Sequence, residues 1–242
     1  MLFSQPINPD KNKTEAKNTE IDFEKAKQSC VNYYDSAHQD YHDQYRNELA
    51  VKPYDKVFLT RFSTMIEKDA KVLDIGCSSS AQQAQFFRDT GFRTTSIDLS
   101  EKCIATAKAN FKGIHFIQMD MLEMNFESDS FDAINAFYSI IHIPDEKIEE
   151  LFFDLNRILK LNGKIAIAVH TGNFSGFFEE NGMSIFYQTY TQDKLKYLID
   201  KFGFRMLEIQ ERQPIYDFEF QTVRIYLMAE KIKNIELNKS SV

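Results

Sequence analysis

Residues 71–81 read KVLDIGCSSSA, an apolar run that ends in a glycine and continues into a serine-rich loop. Val72, Leu73 and Ile75 are too apolar for a strand that faces water, so the run predicts a strand buried on both faces of a parallel sheet. Ala81–Thr90 then has the apolar spacing of a helix. A buried strand, a tight loop and a helix make up the first half of a β-α-β unit, the unit that builds open α/β sheets.

The same alternation of strand and helix patterns continues to the end of the chain. Further strands are predicted at Phe92–Asp98, Ile114–Gln118, Phe131–Phe137, Lys164–His170, Phe204–Glu211 and Thr222–Lys231. The last two are joined by about ten residues, too few for a crossover helix, so we expect them to pair antiparallel. The predicted fold class is therefore α/β: a doubly wound, mostly parallel, seven-stranded (Rossmann-like) sheet with an antiparallel C-terminal hairpin.

The regions outside this sheet differ from it in composition. Residues 1–20 are polar and contain two prolines, which predicts a disordered tail. Residues 21–69 have helical spacing with many tyrosines and show no strand pattern, so they predict a helical N-terminal extension that caps the site. The sheet domain is expected to span residues 70–233, and residues 234–242 a second tail.

Composition and charge exclude several classes of function. The formal net charge is −7, with Lys and Arg interleaved with Asp and Glu, so nucleic acid is not an expected partner. The longest apolar run, residues 165–169, is too short to cross a membrane, and the N-terminus lacks the apolar stretch of a signal peptide. Cys30, Cys77 and Cys103 are odd in number and lack metal-ligand spacing, which predicts reduced thiols, no metal and a cytoplasmic protein.

Three carboxylates lie where the first three predicted strands end. They are Asp74, Asp98 and Asp120. Ligands of doubly wound sheets bind outside the carboxyl ends of the strands, beside the first strand, so these side chains are candidate ligand contacts. Asp98 follows Gly76 by roughly 20 positions, the spacing of a carboxylate that accepts hydrogen bonds from the hydroxyls of a ribose.

A ribose-binding carboxylate leaves two types of cofactor open. A dinucleotide requires G-x-G-x-x-G, because its pyrophosphate lies against bare backbone at a helix N-terminus. Here the loop after the strand has one glycine, Gly76, and the nearby Asp74 is acidic where a pyrophosphate would lie. S-adenosylmethionine carries an ammonium, a sulfonium, a ribose and an adenine but no phosphate, so the three carboxylates favour it.

These same segments resemble the motifs of a known family. VLDIGCSSS (72–80) is similar to the first motif of class I S-adenosylmethionine-dependent methyltransferases, and SIDLSEKCIATAKANF (96–111), IQMDML (117–122), FDAINAFYSIIHIP (131–144) and RILKLNGKIAIAVH (157–170) resemble the motifs that follow it. The resemblance runs from about Tyr33 to Lys231. NELAVKPYDKVFLTRF (47–62) and RQPIYDFEFQTVRIYL (212–227) are similar to a bacterial subgroup of uncharacterised small-molecule methyltransferases.

The resemblance implies a set of cofactor-binding residues. These are Asp74, Gly76, Cys77 and Ser78 at the methionine end, Asp98 at the ribose, Leu99, Asp120 and Met121 at the adenine, and Ala136 and Phe137 at the sulfonium. Where the family has G-C-G-x-G, this chain has serines in place of two glycines, at Ser78 and Ser80. A serine held at positive φ costs roughly 1 kcal/mol, while its hydroxyl can bind the ligand.

Three residues are candidates for the chemistry of methyl transfer. A general base is needed only when the acceptor starts protonated, and His142 and His170 follow strands at the expected edge of the sheet. Tyr138 is a candidate for orienting the acceptor. For each of them a structural role is the competing interpretation.

Two aromatic segments are expected near the site. The aromatic stretch 171–190 predicts either a lid or a short helix packed on the sheet. Tyr33, Tyr34 and Tyr41 are candidates for closing over the cofactor.

The predicted function is transfer of a methyl group from S-adenosylmethionine to a small molecule, with the acceptor and the oligomeric state left open. A catalytically inactive binding or scaffold protein of the same fold is the alternative, because of the serine loop. An NAD(P)-dependent oxidoreductase is a less favoured alternative, because of the missing glycines and Asp74.

Overall fold

The structure is a computed structural model that describes residues 21–180, 182–216 and 219–236. Its helices are α1 Phe23–Tyr45, α2 Glu48–Val51, α3 Pro53–Ser63, α4 Gln82–Asp89, α5 Glu101–Asn110, α6 Asp145–Ile158 and α7 Gln192–Lys201. Its strands are β1 Lys71–Ile75, β2 Arg93–Asp98, β3 His115–Gln118, β4 Phe131–Phe137, β5 Leu159–His170, β6 Ser175–Glu180, β7 Met183–Gln188, β8 Phe204–Arg212 and β9 Arg224–Lys231. The predicted tail 1–20 and the end of the second tail, 237–242, lie outside the described residues.

The main sheet has the predicted architecture. Its strand order is β3-β2-β1-β4-β5-β9-β8. The strands from β1 to β5 pair parallel, whereas β9 pairs antiparallel with both β5 and β8. The order reverses direction beside β1, which places a ligand crevice at the carboxyl ends of β1, β2 and β4.

Helices cover both faces of this sheet. Successive side chains of a strand point to opposite faces, so an apolar strand contributes to a hydrophobic core on each side. On one face Leu73 of β1 lies in a hydrophobic core with Leu151 of α6 and residues of α7. On the other face Val72 packs with Phe62 of α3 and Phe87 of α4. Double coverage explains why the parallel strands read as continuous apolar runs.

The segment 171–190 differs from both predictions made for it, the lid loop and the short helix. It contains an antiparallel hairpin, β6 and β7, in which Ser175 is opposite Gln188 and Phe178 is opposite Ile185. Gly182, at φ +74°, lies in the turn between the strands, where its backbone conformation suits glycine. The aromatic residues are therefore spaced for a strand pair that packs on α1.

Helix α1 is anchored to the sheet domain by polar contacts along its length. Nδ1 of His38 lies 2.8 Å from Oγ1 of Thr106 in α5, and Nδ1 of His42 donates to the carbonyl oxygen of Ser79 at 2.9 Å. The hydroxyl of Ser100 donates to the carboxylate of Asp35. These contacts hold α1 across the carboxyl edge of the sheet.

Candidate functional site

A cleft opens at the carboxyl ends of the parallel strands and contains about 970 Å³ of empty space, including its mouth to solvent. Ligand sites of α/β sheets lie at this edge. Eight of the ten predicted cofactor residues line it: Gly76, Cys77, Ser78, Asp98, Leu99, Asp120, Met121 and Phe137. Their contacts with a cofactor stay predictions, but the structure brings them together.

Asp98 lies at the centre of the cleft wall, at the end of β2. Its Oδ2 accepts a hydrogen bond from the backbone N–H of Ser78 at 2.8 Å, and its Oδ1 accepts from the N–H of Ser100 at 2.9 Å. Burial raises the pKa of Asp98 to about 6, although both N–H groups oppose the shift. The carboxylate is thus fixed in orientation and keeps further lone pairs for hydroxyl donors.

Gly76 brings two loops of the cleft into close contact. Its φ is +73°, and a Cβ added at this position would lie 2.4 Å from Cβ of Ser139, so the position excludes any side chain. Oγ of Ser139 is buried, lines the cleft and has no hydrogen-bond partner among the described residues. A buried hydroxyl at the cleft surface is available to a bound ligand.

The serine loop adopts the expected strained conformation at one of its two substituted positions. Ser78 has φ +53°, whereas Ser80 does not have a positive φ. Oγ of Ser78 lies 3.0 Å from Oγ of Ser80 and accepts from the N–H of Ser80 at 3.2 Å. These bonds offset part of the cost of the left-handed serine, and its backbone N–H still reaches Asp98.

Asp74 and Ala136 lie outside the cleft lining, unlike the other predicted cofactor residues. Oδ1 of Asp74 accepts from Nδ2 of Asn135 at 2.7 Å, and its Oδ2 accepts from the hydroxyl of Ser96 at 3.2 Å. Burial raises the pKa of Asp74 to about 6. Both residues lie within strands, so their side chains point to a face of the sheet, and direct contact of Asp74 with an ammonium group is not supported.

Asp120 faces the cleft but is paired with a residue of the N-terminal extension. Nζ of Lys27 lies 2.6 Å from its Oδ2, and its Oδ1 accepts from the N–H of Leu122 at 2.9 Å. Hydrogen bonding to Asp120 raises the pKa of Lys27. The acid expected at the adenine end is thus shared with α1.

Helix α1 contributes a stripe of cleft residues that sequence analysis found only in part. Tyr34 and Tyr41 line the cleft as predicted, and Phe23, Lys27 and Cys30 join them. Their spacing of three, four or seven positions is the signal of one helical face. This spacing is visible in the sequence, but it does not show which part of the protein this face of α1 covers. Tyr33 instead lies in a hydrophobic cluster beside β7.

His142 lines the cleft with both ring nitrogens engaged. Nδ1 donates to the carbonyl oxygen of Phe186 at 2.8 Å, because a carbonyl can only accept. Nε2 then accepts from the hydroxyl of Tyr34, 3.0 Å away. Burial lowers the pKa of His142 to about 4, so the ring is neutral at physiological pH. His142 therefore joins α1 to the hairpin and is a weak base.

The structure does not bring His170, the second candidate base, to the cleft. Its side chain is 4% exposed, and Nδ1 lies 2.5 Å from Oγ1 of Thr222. Its ring packs against those of Tyr138 and Tyr187, and burial lowers its pKa. A buried, uncharged ring in an aromatic cluster indicates the structural role that sequence analysis held as the alternative.

Tyr138, the third candidate, lines the cleft at the end of β4 with φ +52°. Its hydroxyl lies 2.7 Å from the hydroxyl of Tyr226 in β9. Near this region, the charged groups of Glu219 and Arg224 are 3.9 Å apart. Arg212 is the closer partner, with two bonds to Glu219 of 2.7 and 2.9 Å.

Neither a metal cluster nor a membrane-spanning helix is found among the described residues. No group of three or more His, Cys, Asp or Glu side chains in ranges 21–180, 182–216 and 219–236 is arranged to hold a metal ion. Within those ranges, the helices are too short or too polar to cross a membrane. The three cysteines are buried and unpaired with one another.

Residues 72–163 match the family model described as a methyltransferase domain. The chain is 30% identical over 108 residues to a sterol 24-C-methyltransferase of Neurospora crassa, covering 42% of this chain and 28% of that protein. It is 30% identical over 104 residues to the methyltransferase GfsG of Streptomyces halstedii, covering 40% of this chain and 37% of that protein. The chain thus spans 28% and 37% of the length of these two curated relatives.

Solved structures share the fold over a larger part of the chain. The 1,6-didemethyltoxoflavin-N1-methyltransferase of Burkholderia thailandensis, bound to 1,6-didemethyltoxoflavin and S-adenosylhomocysteine, aligns with a TM-score of 0.71 and 16% identity. The alignment covers 95% of this chain and 100% of that one. The expected sheet architecture is confirmed. The methyltransferase family model matches residues 72–163, which contain most of the motifs that carry the family resemblance.

Proposed function

We propose that this chain, which carries a methyltransferase domain in residues 72–163 and has the class I methyltransferase fold, transfers a methyl group from S-adenosylmethionine to a small molecule. The observation that carries the proposal is the cleft at the carboxyl edge, with Asp98 fixed by two backbone N–H groups at its wall.

The residues of the cleft fit this cofactor in chemistry. Asp98 offers carboxylate oxygens to ribose hydroxyls, Leu99 and Met121 offer apolar surface to an adenine, and Asp120 offers an acceptor for its amino group. Gly76 places no side chain where the loop contacts Ser139. The hydroxyl of Ser139, which has no hydrogen-bond partner among the described residues, lies at the cleft. When bound, the cofactor supplies a reactive methyl group on a sulfonium.

The protein's own contribution is positioning and exclusion of water, since the donor is intrinsically reactive. Helix α1 covers the cleft from one side through Lys27 and Tyr34. The hairpin of β6 and β7 reaches the same region through the bond between Phe186 and His142. A cleft covered on one side by α1 suits a small acceptor rather than a polymer.

The net charge, the names of the relatives and the cysteines support a small-molecule partner and a cytoplasmic location. The net charge of −7 disfavours nucleic acid. The relatives' names include sterol 24-C-methyltransferase and 1,6-didemethyltoxoflavin-N1-methyltransferase, both small-molecule enzymes by their names. Three buried thiols without a disulfide support a reducing, cytoplasmic location.

The test is calorimetric titration of the purified protein with S-adenosylmethionine and S-adenosylhomocysteine. We expect saturable binding of both, and Asp98→Ala should lose most of it, because a bidentate acceptor for the ribose is removed. A loss of about 2–3 kcal/mol, or roughly 30- to 150-fold in affinity, is the expected scale for hydrogen bonds to a charged group.

A matched control is Asp200→Ala, which removes an exposed carboxylate at the end of α7. It should leave binding unchanged, and circular dichroism should show that both variants are folded. Absence of binding by the unaltered protein would favour the inactive alternative. Retained affinity in Asp98→Ala would show that the ribose is bound elsewhere.

A further inference from the structure

A chain of hydrogen bonds runs from the cleft to a buried carboxylate. Tyr138 lines the cleft, and its hydroxyl lies 2.7 Å from the hydroxyl of Tyr226. The hydroxyl of Tyr226 lies 2.5 Å from Oδ1 of Asp55 in α3. Tyr226 is fully buried and Asp55 is 2% exposed. Because a carboxylate can only accept, Tyr226 donates to Asp55, and Tyr138 then donates to Tyr226.

Arg212 completes the coordination of the middle hydroxyl. Its Nη2 donates to the hydroxyl oxygen of Tyr226 at 3.0 Å, while its guanidinium is held by two bonds to Glu219. Both lone pairs of Tyr226 are therefore occupied, and its proton points at Asp55. A guanidinium beside this oxygen stabilises negative charge that develops there.

The charged groups around Asp55 leave it able to take a proton. Those that act on it are Lys52, Glu48 and Arg212, with Arg212 3.8 Å away. Lys52 is itself paired with Glu48. Burial raises the pKa of Asp55, although Lys52 opposes the shift. A carboxylate with a raised pKa is a stronger proton acceptor than an exposed one.

The candidate base at the cleft wall, His142, has both ring nitrogens engaged. Nε2 of His142 is occupied by Tyr34, and the ring has a pKa of about 4 because it is buried. An efficient general base has a pKa near the operating pH. An acceptor that must lose a proton therefore needs another route.

We infer that Tyr138, Tyr226 and Asp55 form a proton relay for acceptors that carry an O–H or N–H group, an inference that rests on the proposed function. As the acceptor's oxygen or nitrogen takes the methyl group from the sulfonium, its proton moves to Tyr138. The proton of Tyr138 moves to Tyr226, and that of Tyr226 to Asp55. The positive charge of the sulfonium and the negative charge of Asp55 disappear together, so charge and protons balance.

The relay defines a class of substrate. Alcohols, phenols and N–H heterocycles lose a proton on methylation and need such a route. A thioether or a tertiary amine has no proton to lose and needs none. After transfer, the proton returns through the same hydroxyls to water that enters the cleft when the product leaves.

The first test uses 4-nitrophenol as a probe, because its ionised form absorbs visible light. It is titrated into the protein saturated with S-adenosylhomocysteine, at a pH close to its own pKa. We expect the bound probe to keep its proton, with an apparent pKa raised by about one unit or more, a tenfold effect, because its O–H donates into a relay that ends in a negative carboxylate. Asp55→Asn and Tyr226→Phe should return the pKa of the bound probe to its solution value.

The matched control is Tyr54→Phe. The ring of Tyr54 packs 4.8 Å from that of Tyr226, but its hydroxyl donates to Gln210 and lies outside the relay. It removes a tyrosine hydroxyl from the same cluster and should leave ionisation of the probe unchanged. Tyr226→Phe preserves shape, so it carries the test if Asp55→Asn fails to fold.

The second test measures methylation of phenols of graded acidity. Asp55→Asn and Tyr226→Phe should slow the least acidic phenols by about 100-fold or more, the scale of general base catalysis. Phenols already ionised in water should be affected little. At saturating cofactor, the rise of kcat with pH that reflects Asp55 should disappear in Asp55→Asn.

Three results would overturn the relay. The first is an apparent pKa of the bound nitrophenol that stays the same in both relay variants. The second is an equal change of that pKa in Tyr54→Phe. The third is a protein that, when saturated with S-adenosylhomocysteine, binds no nitrophenol. Absence of S-adenosylhomocysteine binding overturns the proposed function and the relay with it. Binding of S-adenosylhomocysteine without an effect of the relay variants on the probe overturns the relay alone.

Discussion

At the scale of single residues, three carboxylates that look equivalent in the sequence have different surroundings. Asp98 and Asp120 line the cleft, whereas Asp74 lies outside it, bonded to Asn135 and Ser96. The sequence predicts which residues end strands. It does not show that Asp74 is one position inside β1, where its side chain points to a face of the sheet beside those of Ser96 and Asn135.

Asp74→Asn should stabilise the protein at neutral pH. The pKa of Asp74 is raised by burial from 3.8 to about 6, so its contribution to stability is complete below pH 3.8 and is lost as pH rises through 6. An amide stays neutral and can still accept from Asn135 and donate to Ser96. We expect a gain of about 1–3 kcal/mol in unfolding free energy at pH 8, disappearing near pH 4.

Urea unfolding at both pH values measures this gain. Asp200→Ala serves as a control for the removal of an exposed acid, and its effect should stay within about 0.5 kcal/mol at either pH. A variant that is equally destabilised at pH 4 and pH 8 would show that the amide breaks the local hydrogen bonds.

At the scale of elements, the hairpin of β6 and β7 shows where periodicity fails. The aromatic residues around Phe177 and Phe186 occur in adjacent pairs, so their spacing does not distinguish a strand, a short helix or a loop. Gly182 in the turn and the face of α1 that the hairpin covers decide the outcome. A two-stranded hairpin is stable only against another element, and that partner lies about 150 residues earlier in the chain.

Helix α1 should become more rigid when the cofactor product binds. Lys27 and Tyr34 line the cleft, so opening of α1 and release of the ligand are coupled. At a ligand concentration 100 times the Kd, the added stability is about 2.7 kcal/mol, which slows exchange through coupled opening by roughly 100-fold. Amide hydrogen exchange with and without S-adenosylhomocysteine measures this.

Helix α6 is the internal control, because its residues lie outside the cleft lining. We expect its amides that exchange by local opening to be unaffected by the ligand. Equal protection of α1 and α6 would indicate that the ligand stabilises the whole domain, and no protection of α1 would indicate that it is not a cover.

At the scale of the whole molecule, a buried lysine joins the last strand to the centre of the fold. Lys231 in β9 is 1% exposed, and its Nζ donates to the carbonyl oxygens of Asn156 at 2.8 Å and Leu159 at 2.5 Å. It also lies 3.1 Å from the carboxylate of Asp129. The contacts connect the antiparallel edge with the junction of α6 and β5.

Lys231→Met should destabilise the protein, because it leaves two buried carbonyl oxygens without this donor. The expected loss is about 1–3 kcal/mol of unfolding free energy, measured by urea unfolding. Lys201→Met is the control, since the side chain of Lys201 is exposed and its surface ion pair with Glu149 should contribute little to stability. Equal effects of the two changes would contradict the structural role of Lys231.

The sequence by itself determined the sheet architecture and predicted many of the residues that line the cleft at its carboxyl edge. Strand periodicity, short connections and right-handed crossovers constrain a β-α-β chain strongly, and strand ends place Asp98 and Asp120 at one edge. Only the tertiary structure decided which residues meet across long distances in the chain. Lys27 reaches Asp120, Tyr34 reaches His142, and Asp55 reaches Tyr138 through Tyr226. These contacts depend on how helices pack on the finished sheet, which local spacing does not encode.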